Sequence, residues 1–209
     1  MKKSPIFSRE RFIEDFRLYI FDLDGTLYPE EEYLFAAYDA IAKHIENKTN
    51  ASAVLVSNFL KRTFNENGRD HLFDRMNAYF QLSIPVEEYL QILRSVTVEN
   101  PIALFPEMEH ILREIQNRKK PVYLATNGNK QQQQNKISSI EWNGLLSSIG
   151  IVYCCDVEPK PSPASLLHII DKEKAELSLT AFVGDSEGDK EAAQNAGITF
   201  IHVSNFLSC

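Results

Sequence analysis

Asp22 and Asp24 stand two residues apart in FDLDGT, directly after the apolar run Leu18, Tyr19, Ile20 and Phe21. Further along, Thr126 closes PVYLAT before Asn127 and Gly128, Lys160 precedes Pro161, and Asp185 and Asp189 fall within GDSEGD. The set offers carboxylates, one hydroxyl and one amine. Several acids gathered at one end of a sheet repel one another unless a cation compensates. A hard divalent ion with oxygen ligands, Mg²⁺ most simply, does so. The Thr126 hydroxyl and the Lys160 charge suit the oxygens of a phosphoryl group, a dianion that a carboxylate nucleophile could otherwise scarcely approach. The chemistry implied is phosphoryl transfer through a carboxylate. Gly25 permits the turn that would separate Asp22 from Asp24.

Such a constellation needs a scaffold that brings distant segments to one edge. Short apolar runs ending in polar or glycine-containing clusters recur in RLYIFDLDGT, PVYLATNG, GIVYCCD, AFVGDS and ITFIHV. Runs of this kind fit buried parallel strands. Between them lie helical patterns, such as Met108, Ile111, Leu112 and Ile115 after Pro106, and Glu187 to Ala196 before Gly197. Alternating strands and helices predict an α/β fold, a Rossmann-like parallel sheet flanked by helices, with about five strands. The four clusters then sit at the carboxyl ends of strands, where open α/β sheets place their sites. Residues from about 30 to 100 show no strand pattern. Leu34, Ala37, Ile41 and Ile45 recur at helical spacing, as do Leu72, Phe73, Met76 and Phe80. Four short helices are expected there, a small α-helical domain inserted after the first strand. The predicted division is a core of residues 1–28 and 100–209 with an insertion of 29–99. The segment before Arg17 is expected to be a helix packed on the core.

Composition excludes several function classes. The 209 residues carry 22 basic and 29 acidic side chains, a net charge of −7. With a pI near 5.3 the chain lacks the footprint of a nucleic-acid binder. Apolar runs fall far short of the roughly 20 residues a membrane span needs. The start, MKKSPIFSRERFIEDFR, has no apolar stretch behind its lysines and does not read as a secretory signal. Cys154, Cys155 and Cys209, without metal or disulfide spacing, point to a reducing, cytoplasmic setting. A monomer or homodimer acting on a small molecule is the expected form. Cys154 and Cys155 read as buried strand residues pointing to opposite faces. The tract Gln131 to Gln134 reads as a polar helix face.

The four clusters, in this order, resemble the motifs of the haloacid dehalogenase-like (HAD) superfamily across residues 20–203. The insertion resembles the helical cap of the subfamily that includes phosphoglycolate phosphatases and pyrimidine 5′-nucleotidases. The resemblance implies that Asp22 is the nucleophile and forms an aspartyl-phosphate. It implies that Asp24 protonates the leaving group and then activates the hydrolytic water, its main-chain carbonyl binding Mg²⁺. Thr126 and Lys160 would hold the phosphoryl group. Main-chain amides near Leu23, Asp24 and Asn127 would complete the cradle. Asp22 and Asp185 would bind the metal, with Asp189 supporting it directly or through water. Arg69 is the cation of the insertion expected to contact substrate.

The function expected is a Mg²⁺-dependent phosphomonoesterase acting on a nucleoside monophosphate, a sugar phosphate or phosphoglycolate. A phosphomutase using the same aspartyl-phosphate, or a catalytically silent phosphate-binding regulator, is the alternative. A 2-haloacid dehalogenase needs neither a proton donor at Asp24 nor the acidic GDSEGD cluster. The order Asp22, Thr126, Lys160, Asp185 contradicts a response-regulator receiver, and no Walker-type loop is present.

Overall fold

The computed structural model describes residues 8–207. The described chain forms two compact units, one of residues 8–29, 103–133 and 140–207, the other of 30–102 and 134–139.

The first unit is built on a five-stranded parallel sheet. Its strands are β1 (Leu18–Phe21), β2 (Val122–Thr126), β3 (Ile149–Tyr153), β4 (Thr180–Gly184) and β5 (Thr199–His202). Their order across the sheet is β3-β2-β1-β4-β5, and every pairing is parallel. Strands β1, β2 and β4 are buried throughout, which explains their unbroken apolar runs: helices cover both faces and no position alternates to solvent. Those helices include α1 (Arg9–Asp15), α6 (Pro106–Asn117), α8 (Ala164–Glu173) and α9 (Glu187–Ala196). Helix α1 buries Phe12 and Ile13, as expected for the segment before Arg17. Its last carbonyls are satisfied from outside the helix. Tyr19 Oη lies 2.8 Å from the carbonyl oxygens of both Ile13 and Phe16, with one hydrogen to share between them, and Lys120 Nζ reaches the same two oxygens.

The second unit is helical, as the spacing predicts. It contains α2 (Glu30–Lys48), α3 (Ala53–Asn67), α4 (Leu72–Phe80) and α5 (Val86–Ser95). Leu34, Ile41 and Ile45 of α2 share one apolar cluster with Val56, Leu60, Leu72, Met76 and Tyr89. Two tyrosine hydroxyls tie the helices further, Tyr33 to the carbonyl of Leu93 at 3.2 Å and Tyr89 to Asn77 Oδ1 at 2.7 Å.

Helix α7 (Lys130–Ser139) departs from the sequence reading, which kept all of 100–209 in one block. Residues 134–139 pack with the helical unit. The reason is polar: Lys136 Nζ, buried, pairs with Glu30 Oε1 at 2.7 Å, and Asn135 Nδ2 donates to the carbonyl of Arg94. Cys154 and Cys155 also differ. They lie in a 3₁₀ turn beyond β3, not in the strand; Cys154 is buried and Cys155 exposed, and both are free thiols. Cys209 lies outside the described residues. No helix among the described residues is long and apolar enough to cross a membrane.

Candidate active site

The chain turns from one side of β1 to the other in sequence, β2 and β3 lying to one side and β4 and β5 to the other. The carboxyl end of β1 is therefore a switch point, the place where such sheets open a crevice. Asp22 follows β1 there. Its main-chain N–H continues the ladder to the Val183 carbonyl at 2.8 Å, so the side chain is held on the rigid sheet. Thr126 closes the neighbouring β2, and Asp185 follows the neighbouring β4.

Lys160 reaches this point by another route. The sequence reading places its cluster at a strand end, but the residue lies in the loop between β3 and α8. Asn127 holds it in place. Asn127 Nδ2 donates to the Lys160 carbonyl and Asn127 Oδ1 accepts from the Lys160 N–H, both at 2.9 Å. The Asn127 side chain is thus committed to positioning Lys160, and what it can offer a ligand is its main chain. From this anchor the Lys160 ammonium sits between two carboxylates, 2.5 Å from Asp22 Oδ1 and 2.6 Å from Asp189 Oδ1. Asp22, Lys160 and Asp189 are all buried. Burial pushes the Asp22 carboxyl up to about 7, aided by Asp189 and Asp24 and opposed by Lys160. Burial also works against the Lys160 charge, but Asp22 and Asp189 together hold the ammonium above the ordinary lysine range.

Asp189 does two jobs. It is the third residue of α9 and completes a capping box with Ser186. Its Oδ2 accepts from the Ser186 N–H at 3.1 Å and from Ser186 Oγ at 2.6 Å, while Oδ1 takes Lys160. The helix cap and the ion pair with Lys160 are therefore combined in one side chain.

Asp24 is held on both oxygens. Tyr28 Oη donates to Oδ1 at 2.7 Å and Gln133 Nε2 to Oδ2 at 2.9 Å. Neither partner was singled out by sequence reasoning. The sequence places Gln133 with its neighbours on a polar helix face, yet it is buried while Gln131 and Gln134 are exposed. A signal was available: Gln133, Lys136, Ile137 and Ile140 recur at helical spacing, and all four are buried.

Carboxylate oxygens of Asp22, Asp185 and Asp189 lie within 4.8 Å of one another. Lys160 pairs with two of these three, Asp22 and Asp189. A hard divalent cation fits that imbalance and that donor set. Gly25, at φ +66°, makes room for the Asp185 carboxylate: a Cβ there would stand 2.5 Å from Asp185 Oδ2. Arg69 belongs to the helical unit, where it pairs with Glu30, the residue that also takes Lys136.

The chain is similar to known proteins over most of its length. A family model described as haloacid dehalogenase-like hydrolase matches residues 16–197. The phosphoglycolate phosphatase of Yersinia pseudotuberculosis serotype I (strain IP32953) is 30% identical over 187 residues, covering 85% of this chain and 76% of that protein. A HAD phosphatase from Thermococcus onnurineus has a TM-score of 0.56 at 22% identity, over 88% of this chain and 84% of the other. YfnB from Bacillus subtilis, in a form bound to magnesium, has a TM-score of 0.61 at 16% identity, over 88% and 85%. The two structural likenesses are likenesses of fold.

Proposed function

Since the chain belongs to the haloacid dehalogenase-like hydrolases, we propose that this phosphatase is a Mg²⁺-dependent phosphomonoesterase for a small phosphorylated metabolite. The observation that carries the reading is the buried Asp22 carboxylate paired with Lys160 beside Asp185 and Asp189. A carboxylate held on a rigid strand end, with a fixed cation against it, is equipped to meet a dianionic phosphoryl group.

In the proposed reaction Asp22 attacks phosphorus. The bond from its carboxylate oxygen forms as the ester P–O bond breaks, and Asp24 gives its proton to the departing alkoxide. Asp24 then takes a proton from water as the water oxygen bonds to phosphorus. The bond to Asp22 breaks, inorganic phosphate leaves and the carboxylate is restored. Lys160 and the Thr126 hydroxyl hold phosphoryl oxygens throughout, with main-chain amides near Leu23, Asp24 and Asn127. Splitting one displacement into two makes each step easier. Asp22, Asp185 and the Asp24 carbonyl would hold Mg²⁺, with Asp189 supporting it. The ion, when bound, supplies positive charge against the carboxylates and the transferred group. Arg69 remains our candidate for contact with the rest of the substrate. The free thiols of Cys154 and Cys155 support a cytoplasmic setting.

The test is release of inorganic phosphate from phosphoglycolate, nucleoside monophosphates and sugar phosphates, with Mg²⁺ and with EDTA. Phosphoglycolate leads the panel because it is the substrate named for the Yersinia relative. Release with Mg²⁺ that stops in EDTA is expected. Undiminished release in EDTA would refute the metal requirement, and transfer to a sugar hydroxyl in place of water would make the protein a phosphomutase.

Gly25→Ala bears on the metal directly. The added methyl must displace the Asp185 carboxylate, and the left-handed backbone resists any side chain. The half-saturating Mg²⁺ concentration is expected to rise by about tenfold or more, read from a magnesium titration of activity.

A further inference from the structure

Gln133 lies at the centre of a hydrogen-bond network that joins Asp24 to Thr126. Its Nε2 is 2.9 Å from Asp24 Oδ2, 2.7 Å from the Asn127 carbonyl and 2.5 Å from Thr126 Oγ1. A carbonyl and a carboxylate oxygen only accept, so this end of the amide must be the NH₂ group, not the oxygen. The same group therefore faces Thr126 Oγ1 as a donor. The Thr126 oxygen accepts, sharing the two amide hydrogens with the Asp24 and Asn127 oxygens, and its own hydroxyl makes a long contact, 3.5 Å, to the Asn127 carbonyl, from which it can turn to a ligand oxygen. Gln133 is 2% exposed, so no water takes its place in this arrangement. With Tyr28 Oη on the other oxygen, the Asp24 carboxyl is fixed in rotation from both sides.

We propose that Gln133 is a positioning residue of the reaction, its amide NH₂ orienting the Asp24 carboxyl toward the leaving group and keeping the Thr126 hydroxyl a donor to the phosphoryl oxygen. The proposal rests on the phosphomonoesterase reading above and deepens it. Through Gln133, the group that moves the proton and a group that holds the phosphoryl oxygens are set by one side chain. A proton donor misaligned by a fraction of an ångström loses much of its effect, because transfer demands a short, directed hydrogen bond.

The experiment uses two substrates that differ in how much they need a proton donor. An alkyl phosphate expels an alkoxide and depends on Asp24. Para-nitrophenyl phosphate expels a stable phenolate and depends on it little. Values of kcat/KM are compared for wild type, Gln133→Met and Asp24→Ala, with folding checked by thermal melting. Met nearly matches Gln in volume and lacks the donor. Gln133→Ala serves in its place should Gln133→Met fail to fold.

In Gln133→Met the alkyl phosphate is expected to lose about 10- to 100-fold, a part of what a general acid supplies. Para-nitrophenyl phosphate is expected to lose severalfold less, so the ratio of the two constants shifts in the same direction as in Asp24→Ala. The dissociation constant for inorganic phosphate is expected to rise as Thr126 loses its fixed role. An equal loss on both substrates would reduce Gln133 to a structural part and overturn the proposal, as would no loss on either. If Asp24→Ala leaves the substrate ratio of a working wild type unchanged, the role of Asp24 fails first and the proposal falls with it. If wild type turns over neither substrate with Mg²⁺, what fails is the phosphomonoesterase reading.

Discussion

Replacing Asp22 by asparagine is expected to lower phosphate release by at least about 10⁴-fold while leaving the protein folded. The size follows from removing a nucleophile that works as a unit with its neighbours, where a single loss costs nearly as much as losing the whole set. An amide cannot form the acyl phosphate and cannot return it to water. The folded state, by contrast, has little to lose. In the wild type Asp22 is buried beside Asp24 and Asp189, and its carboxyl stands at about 7 instead of the ordinary 3.8. A folded-state value raised in this way favours the protonated form. Its contribution to stability is full below about 3.8 and is lost as pH rises through about 7. Asparagine, neutral at every pH, escapes that loss. In EDTA the melting temperature of Asp22→Asn should therefore gain on wild type as pH is raised from 4 to 8, on the order of a few degrees. Phosphate assays and melting curves on one preparation check both halves. Retained activity would remove Asp22 from the chemistry.

Lys160→Met is expected to fail in both respects. Activity should fall by about 10²–10³-fold, the usual scale for losing one preorganised charge aimed at the transition state. Stability should fall as well, by roughly 3–5 kcal/mol, because removing one partner strands buried charge. Lys160 is the cation between Asp22 at 2.5 Å and Asp189 at 2.6 Å, and Asp189 is only 2% exposed. Arginine is no substitute, since a planar fork does not fill the place of a compact ammonium. The double variant Lys160→Met with Asp189→Asn separates the two effects. It should regain part of the stability, since the stranded carboxylate is gone, and none of the activity. Denaturant melts and kcat/KM on the four proteins of the cycle measure this. If Lys160→Met melts like wild type, the buried pair does not have the energetic role assigned to it. The contrast between the two substitutions is the sharper expectation: loss of activity with the fold intact for Asp22→Asn, and loss of both for Lys160→Met.

Much of this protein is legible along the chain. The unbroken apolar runs of β1, β2 and β4 declare strands buried on both faces, and the helical spacing of residues 30–100 declares helices. Asp22, Asp24 and Thr126 are legible because they sit where a strand stops, a local event with a local signature. The chain alone also shows that acids outnumber cations in the motifs, which is the ground for expecting a divalent cation. Other features are decided only by packing. Lys160 is named by its motif but lies in a loop, and Asn127, 33 residues earlier, sets its backbone through two hydrogen bonds. Asp189 could be read as a helix cap or as a site residue; in the fold it caps α9 and also pairs with Lys160. Gln133 hides in a tract of four similar residues; its spacing to Lys136, Ile137 and Ile140 marks a face, and only packing shows what that face meets. Propensity and periodicity act over a few residues and are written in sequence. Which distant side chains share a buried hydrogen bond depends on strand order and helix placement, and those exist only once the chain is folded.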